Sequence, residues 1–161
     1  MLFVGINPGV RSAQTGHHFA GHSNRFWKLL YDSRLVPVPL TAFDDRRLPE
    51  WGLGLTNLVP RPTRGISDLR PEDYRAGVRA LRRKIRRWRP ALIALVGLTL
   101  PRAIFGHGAG SRMALGLQPE SLEGVQVFVL PNPSGRNAHY SYDEMRDAFS
   151  ALRRHMDRTA G

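Results

Sequence analysis

Asn7 stands at the point where an apolar run ends in the sequence Gly5-Ile6-Asn7-Pro8-Gly9. An apolar run bounded by glycine and proline is typical of a buried parallel strand that ends in a tight loop. Ligands of open α/β sheets bind outside the carboxyl ends of the strands, so Asn7 is predicted to face a ligand site. The glycines allow close approach of the backbone, and Pro8 stiffens the turn. The alternative is a plain strand-to-loop turn.

The segment that follows, residues 10–22, is predicted to be a polar loop with side chains that suit a flat polar ligand. Phe19 offers a ring for stacking and His18 offers a ring N–H, so together they could sandwich a heterocycle. The alternative is that Phe19 belongs to the core and that the histidines are solvated. His18 and His22 have the spacing of metal ligands on a helix, but no helix or nearby carboxylate is predicted there, so no metal site is expected.

A second strand, residues 125–130, ends in Pro131-Asn132-Pro133-Ser134-Gly135-Arg136 and repeats the pattern of the first. The carboxyl ends of parallel strands lie at one edge of a sheet, so both loops are predicted to face a single cleft. Ser134 and exposed backbone amides suit a phosphate group, and Arg136 is expected to project into the cleft from a glycine-hinged tip. The alternative is an ordinary connection rich in turn residues.

Apolar runs alternate with amphipathic segments along the chain, which predicts strands separated by helices. Strands are predicted at the start of the chain and at residues 53–59, 91–96 and 125–130. Residues 115–122 form a hairpin with residues 125–130 around Gly124, or else the latter are a lone central strand. The pattern predicts a three-layer α/β/α sandwich around a mostly parallel sheet, in a single domain of residues 1–161.

The helices are predicted from caps and from apolar residues at helical spacing. They cover residues 23–33 with Ser23 as N-cap, residues 41–48, a long segment from Pro71, residues 99–106, and a last segment opened by the capping box of Ser141 and Glu144. The long helix should bury a stripe of Tyr74, Val78, Leu81, Ile85 and Trp88. Residues 106–110 are glycine-rich but follow a helix, so no dinucleotide fingerprint is predicted there.

The composition indicates a globular protein with a polyanionic partner. The 161 residues include 24 Lys and Arg against 13 Asp and Glu, a formal charge of +11, although an arginine-rich proteome would produce part of this excess. Eight basic residues lie within positions 75–89, and their helix is expected to direct most of them to solvent and away from the cleft. The absence of cysteine, of a long apolar run and of a secretory signal predicts a cytoplasmic protein with no membrane association.

The motifs resemble those of the mismatch-specific uracil/thymine DNA glycosylases within the uracil-DNA glycosylase superfamily. The first matching stretch contains GINPG, SAQTGHHFAG and NRFWK, the second is LPNPSG at residues 130–135, and TNLVPRPT at residues 56–63 matches the segment between them. The resemblance spans nearly the whole chain in the correct order. It implies an α/β/α enzyme of base excision repair that flips a mismatched or damaged base out of duplex DNA and hydrolyses its N-glycosidic bond.

The resemblance also implies roles for individual residues. Asn7 would position the attacking water, and the catalytic pair is expected to be Asn7 and His18. The base-binding residues would be Ile6, through its backbone, Phe19, which stacks on the base, and Asn57. The DNA-binding and wedge residues would be Ser12, Ser134, Gly135, Arg136 and Asn137. No cofactor is expected, and the partner would be double-stranded DNA containing a mismatched or damaged pyrimidine, bound by a monomer.

An asparagine at position 7 restricts the mechanism, because an amide can orient water but cannot take its proton. The base must therefore depart first, leaving an oxocarbenium-like sugar for water to capture. Backbone N–H groups and His18 would stabilise the departing base anion, which favours uracil and electron-poor or etheno-modified pyrimidines. No Asp or Glu occurs in either motif, and the lack of cysteine excludes the branch of the superfamily with an iron–sulfur cluster.

Two departures from the family pattern stand out. Some relatives carry leucine where this chain has Arg136; a guanidinium can fill the gap in the duplex and bond the orphaned guanine. The sequence also begins at the first strand, whereas relatives usually carry a short leading segment, so a truncated start is expected. The sequence leaves two other classes open: a non-catalytic binder of damaged or abasic DNA, and a nucleotide-binding signalling or redox domain.

Overall fold

The computed structural model describes residues 1–106 and 114–160 and contains a five-stranded sheet. The strands are β1 (Leu2–Gly5), β2 (Gly54–Asn57), β3 (Ile93–Val96), β4 (Gly116–Leu122) and β5 (Val125–Leu130), in the order β2-β1-β3-β5-β4. The first three strands and β5 are parallel, while β4 pairs with β5 in antiparallel orientation. The hairpin alternative is therefore confirmed.

Five α-helices occur in the described residues. They are α1 (Val10–Thr15), α2 (Phe26–Asp32), α3 (Pro71–Trp88), α4 (Thr99–Phe105) and α5 (Tyr142–Ala160). Four of them, α2 to α5, pack on the two faces of this sheet. Two 3-10 segments, Ala42–Trp51 and Ile66–Asp68, lie within the connections. The capping box at the start of α5 is confirmed, because Ser141 and Glu144 exchange side-chain to backbone hydrogen bonds. None of the helices within residues 1–106 and 114–160 is long and apolar enough to cross a membrane.

Two apolar cores form because successive strand residues point to opposite faces of the sheet. Phe3 and Phe128 pack with α2 and α5 on one face, whereas Val4, Leu95 and Val129 pack with α3 and α4 on the other. All of these side chains are at least 96% buried. The three-layer α/β/α architecture predicted from the sequence is confirmed.

Several local predictions were wrong, each because a tertiary contact or a turn overrode the local pattern. Residues 10–15, expected to be loop, form α1, which ends at Gly16 in a left-handed conformation. The next helix begins at Phe26 and not near Ser23, since residues 21–24 form a turn and the Asn24 side chain accepts from the Phe26 N–H. Trp88 is 53% exposed because it lies at the end of α3.

The strand register brings the polar loops to one edge of the sheet. Gly5 pairs with Asn57 across β1 and β2, and Val96 pairs with Leu130 across β3 and β5, so these strands end together. Beyond the sheet, the N–H groups of Leu58 and Val59 donate to the carbonyls of Gly5 and Ile6. The loops that follow β1, β2 and β5 therefore emerge side by side. The glycine-rich positions 107–110 lie outside the described residues.

Candidate active site

A pocket of about 730 Å³ opens where the loops after β1, β2 and β5 meet. Its lining includes eight residues named in the sequence analysis: Ile6, Asn7, Ser12, His18, Phe19, Asn57, Ser134 and Arg136. Asn7 and Arg136, which are 129 positions apart, thus face one cavity, as the shared sheet edge predicts. The functional roles assigned to these residues stay predictions.

Gly135 and Asn137 do not line the pocket but shape the loop that carries Arg136. A Cβ atom at Gly135 would lie 2.5 Å from Cβ of Ser23 and 2.8 Å from its carbonyl oxygen, so the two loops touch at this point. The Asn137 side chain donates to the Asn132 carbonyl at 2.9 Å, and its backbone N–H donates to the Ser134 carbonyl at 3.0 Å. Arg136 is exposed at the tip of this loop, with no partner for its guanidinium among the described residues.

The Asn7 amide is held in one orientation by two acceptors. Its Nδ2 donates to the carbonyl oxygen of Arg61 at 2.9 Å and to Oγ1 of Thr63 at 2.8 Å. Because a backbone carbonyl can only accept, the NH₂ group must face Arg61. The Oδ1 atom then has no donor among the described residues and is not enclosed, so it is a free acceptor on the lining of the pocket.

Thr63 is a site residue that the sequence reasoning did not name individually. Its hydroxyl accepts from Asn7 and donates its own proton to the Gly65 carbonyl at 2.8 Å, while its backbone N–H donates to the Pro8 carbonyl at 3.2 Å. The loop after β2 is therefore tied to the loop after β1 through both backbone and side chain. The only sequence signal was the position of Thr63 at the end of the matching stretch of residues 56–63.

Two lining residues of the pocket, Asn57 and Phe19, approach each other at Gly5, the last residue of β1. A Cβ atom at Gly5 would lie 2.7 Å from Oδ1 of Asn57 and 3.3 Å from the ring of Phe19. Glycine at this position therefore lets a polar amide and an aromatic ring approach the same strand end. The Phe19 ring is stacked on Phe26, with centroids 4.1 Å apart and planes 24° from parallel. A flat ligand at this point meets one aromatic ring and one amide.

Phe19 is both a core residue and a pocket residue, the two alternatives that the sequence left open. Its ring packs against the core through Phe26, and the same residue lines the pocket. Its φ angle is +51°, a left-handed conformation that is uncommon outside glycine. Its backbone N–H makes no hydrogen bond to another described residue, which leaves a donor available to a ligand.

His18 is half-buried in the wall of the pocket, next to His17. Burial lowers the pKa of His18; Asp45 opposes this shift and the neighbouring His17 adds to it. A neutral imidazole has one N–H donor and one acceptor, so His18 can bind a polar edge without bringing a charge into the pocket. Asp45 accepts from the His18 backbone N–H at 3.1 Å and contacts the ring Nδ1 of His17 at 3.1 Å.

Comparisons with known proteins show the family of this chain. The family model described as the uracil DNA glycosylase superfamily matches residues 1–153. The chain belongs to this superfamily. It is also 35% identical over 164 residues to the G/U mismatch-specific uracil DNA glycosylase of Schizosaccharomyces pombe. That alignment covers 98% of this chain and 50% of the yeast protein, so the chain spans about half the length of the relative it matches.

The charged side chains on the pocket lining are positive. Arg11, Arg64 and Arg136 line it together with three histidines, and no Asp, Glu or Lys side chain of the described residues does so. No residue of α3 lines the pocket, which agrees with the prediction that its basic run faces away from the cleft. Two arginines of α3 instead form ion pairs with Glu123 in the β4–β5 turn. Within residues 1–106 and 114–160, no cluster of acidic or histidine side chains could hold a metal ion.

Proposed function

We propose that this member of the superfamily is a monofunctional DNA glycosylase that removes uracil from mismatched duplex DNA. The observation that carries the proposal is the Asn7 amide, whose NH₂ group is held by two oxygens while Oδ1 remains free on the pocket lining. An acceptor fixed in this way can bind one hydrogen of a water molecule and aim its oxygen at a sugar carbon. The named activity of the yeast relative supports the same substrate class.

The pocket supports a stepwise hydrolysis in which the base leaves before water attacks. No carboxylate of the described residues lines the pocket, so no side chain there can act as a strong general base. In this proposal the leaving base anion is stabilised by the unpaired Phe19 backbone N–H and by the His18 side chain, since both residues line the pocket. Water held by Asn7 then captures the oxocarbenium-like sugar. Because leaving-group stability limits the rate, electron-poor and etheno-modified pyrimidines are further substrates that we propose on this ground. We propose thymine as a slower substrate, because its 5-methyl group makes it a poorer leaving group than uracil.

Base flipping needs a pocket for the base and a side chain for the gap that the base leaves. Phe19 and Asn57 line the pocket where they approach Gly5, and the exposed Arg136 lines it from the loop after β5. Unstacking costs a few kcal/mol and costs least at a mispair, which gives part of the selectivity. In this proposal, Arg136 enters the duplex and its guanidinium bonds the widowed guanine.

The absence of lysine from the described pocket lining supports hydrolysis without strand cleavage, because a Schiff-base mechanism needs an amine nucleophile. We also propose that the protein binds its DNA substrate as a monomer. Since chromosomal DNA is the proposed substrate, we place the protein in the cytoplasm together with that DNA.

Single-turnover cleavage of a duplex with one G·U pair tests the proposal. Wild-type protein should release uracil, and Asn7→Ala should lose release by a factor of about 10³ or more while retaining duplex binding. Gln118→Ala is the matched control, because the Gln118 amide, like that of Asn7, donates to two oxygens, here both backbone carbonyls, but lies on β4 at the far edge of the sheet. Unchanged cleavage by Asn7→Ala would contradict the assigned role.

A non-catalytic binder of damaged or abasic DNA is the second candidate, and the positive pocket with the exposed Arg136 favours it equally well. The same assay separates the two functions. A binder holds the abasic duplex tightly and releases no base from the G·U duplex. A glycosylase releases an amount of uracil that is proportional to the amount of enzyme added.

A further inference from the structure

The corner formed by residues 17–20 carries the aromatic wall of the pocket, yet no regular secondary structure supports it. Its backbone is held by side chains from elsewhere in the fold. Trp27 Nε1 donates to the His18 carbonyl at 3.1 Å, Arg11 Nε donates to the Ala20 carbonyl at 2.9 Å, and the Ala20 N–H donates to Ser12 Oγ at 3.1 Å.

Asp45 is the acidic member of this set and contacts two consecutive residues of the corner. Oδ2 accepts from the His18 backbone N–H, and Oδ1 is paired with Nδ1 of His17, both at 3.1 Å. Only 8% of the Asp45 side chain is exposed, so neither oxygen is freely solvated. A buried carboxylate is retained at a desolvation cost and needs such partners. Its neighbour Asp44, in contrast, caps its own segment by accepting from the Thr41 N–H and hydroxyl.

The corner needs this support because of the conformation of Phe19. A non-glycine residue at φ +51° costs free energy and persists only where its surroundings hold it. Asp45 and Trp27 hold the N–H and the carbonyl of His18, the residue immediately before Phe19. With the N–H and the carbonyl of His18 both held, the Phe19 ring stays stacked on Phe26 and the Phe19 N–H stays without a partner among the described residues.

We propose that Asp45 is the positioning residue that presents Phe19 and His18 to the flipped base. The inference deepens the proposed glycosylase function and rests on it. Asp45 does not line the pocket and acts only through the corner. Substitution of Asp45 should therefore weaken DNA binding only when the bound nucleotide still carries a base.

The test compares Asp45→Ala and Asp45→Asn with Asp44→Ala as the matched neighbour. Asp45→Ala should slow single-turnover release of uracil from G·U duplex by about 10- to 100-fold, the scale of a small misplacement of the reacting groups. Asp45→Asn keeps one oxygen for the His18 N–H and should recover most of the rate. Asp44→Ala should lower the melting temperature through the lost cap and leave the rate unchanged.

Binding measurements separate positioning from a general loss of fold. In an Asn7→Ala background, in which cleavage is too slow to disturb a binding measurement, Asp45→Ala should weaken binding of the G·U duplex by about 10-fold. Binding of a duplex with an abasic site should not change, since no base is present to meet the corner. Equal weakening of both duplexes, or a wild-type rate for Asp45→Ala, would overturn the inference.

Hydrogen exchange gives a readout that does not depend on catalysis. The His18 amide should exchange faster in Asp45→Ala than in the wild type, because its acceptor is removed, while amides of the β-strands keep their protection. If wild-type protein releases no uracil, the proposed function fails, and this exchange measurement still decides whether Asp45 holds the corner. An unchanged His18 exchange rate would show that it does not.

Discussion

Thr63→Val should slow base release because the Thr63 hydroxyl is one of the two acceptors that orient the Asn7 amide. Valine has the same branched shape and keeps the backbone N–H that donates to the Pro8 carbonyl. It loses the oxygen that lies 2.8 Å from Asn7 Nδ2 and the donor to the Gly65 carbonyl. The amide would then be held by the Arg61 carbonyl alone, at 2.9 Å.

The magnitude follows from the value of one hydrogen bond. A typical intramolecular hydrogen bond contributes about 0.5–1.5 kcal/mol, and 1.4 kcal/mol corresponds to a factor of ten in rate. If half-buried Thr63 contributes within this range, the fraction of molecules with Oδ1 correctly aimed falls by about 2- to 12-fold. The rate of uracil release at saturating enzyme should fall by the same factor, and the affinity for the G·U duplex should remain close to that of the wild type.

Two further variants make the assay decisive. Thr63→Ser keeps the hydroxyl and should retain most of the wild-type rate. The double variant Asn7→Ala with Thr63→Val should be no slower than Asn7→Ala alone, because residues that act as a unit are not additive. A Thr63→Val rate equal to that of the wild type, or an additional loss in the double variant, would refute the view that Thr63 acts through Asn7.

Two other measurements test the wedge loop and the pocket wall. Gly135→Ala should weaken binding of mismatched duplex and lower the free energy of unfolding by about 1–3 kcal/mol, because the added Cβ would overlap Ser23. Isothermal titration measures the binding and thermal melting measures the stability. Values equal to those of the wild type would argue against the close contact. NMR titration of the His18 ring should give a pKa below the ordinary value of about 6.5, since burial is the main influence, and Asp45→Asn should lower the His18 pKa further. Because the folded state then binds the proton less readily than the unfolded chain, the His18 contribution to the free energy of unfolding should be complete above about pH 6.5 and be lost as pH falls towards the folded pKa.

Much of the fold is visible in local sequence patterns. The strand at the start, the helix that begins at Pro71 and the capping box of Ser141 are each specified by neighbouring residues. The end of α3 shows the limit of such reasoning. Trp88 continues the apolar spacing of its helix but is largely exposed, because periodicity identifies a face and does not say how far the covered surface extends.

The sequence by itself determined the polar strand ends and the glycines and prolines that shape them, because these are properties of adjacent residues. It also determined that Asn7 and Arg136 would share a cleft, since parallel strands end at one edge. Only the tertiary structure decided that Thr63 orients the Asn7 amide and that Asp45 holds His18, contacts that join residues 56 and 27 positions apart. A hydrogen bond of this kind depends on where two separate loops come to lie, and no periodicity or spacing within either loop contains that distance.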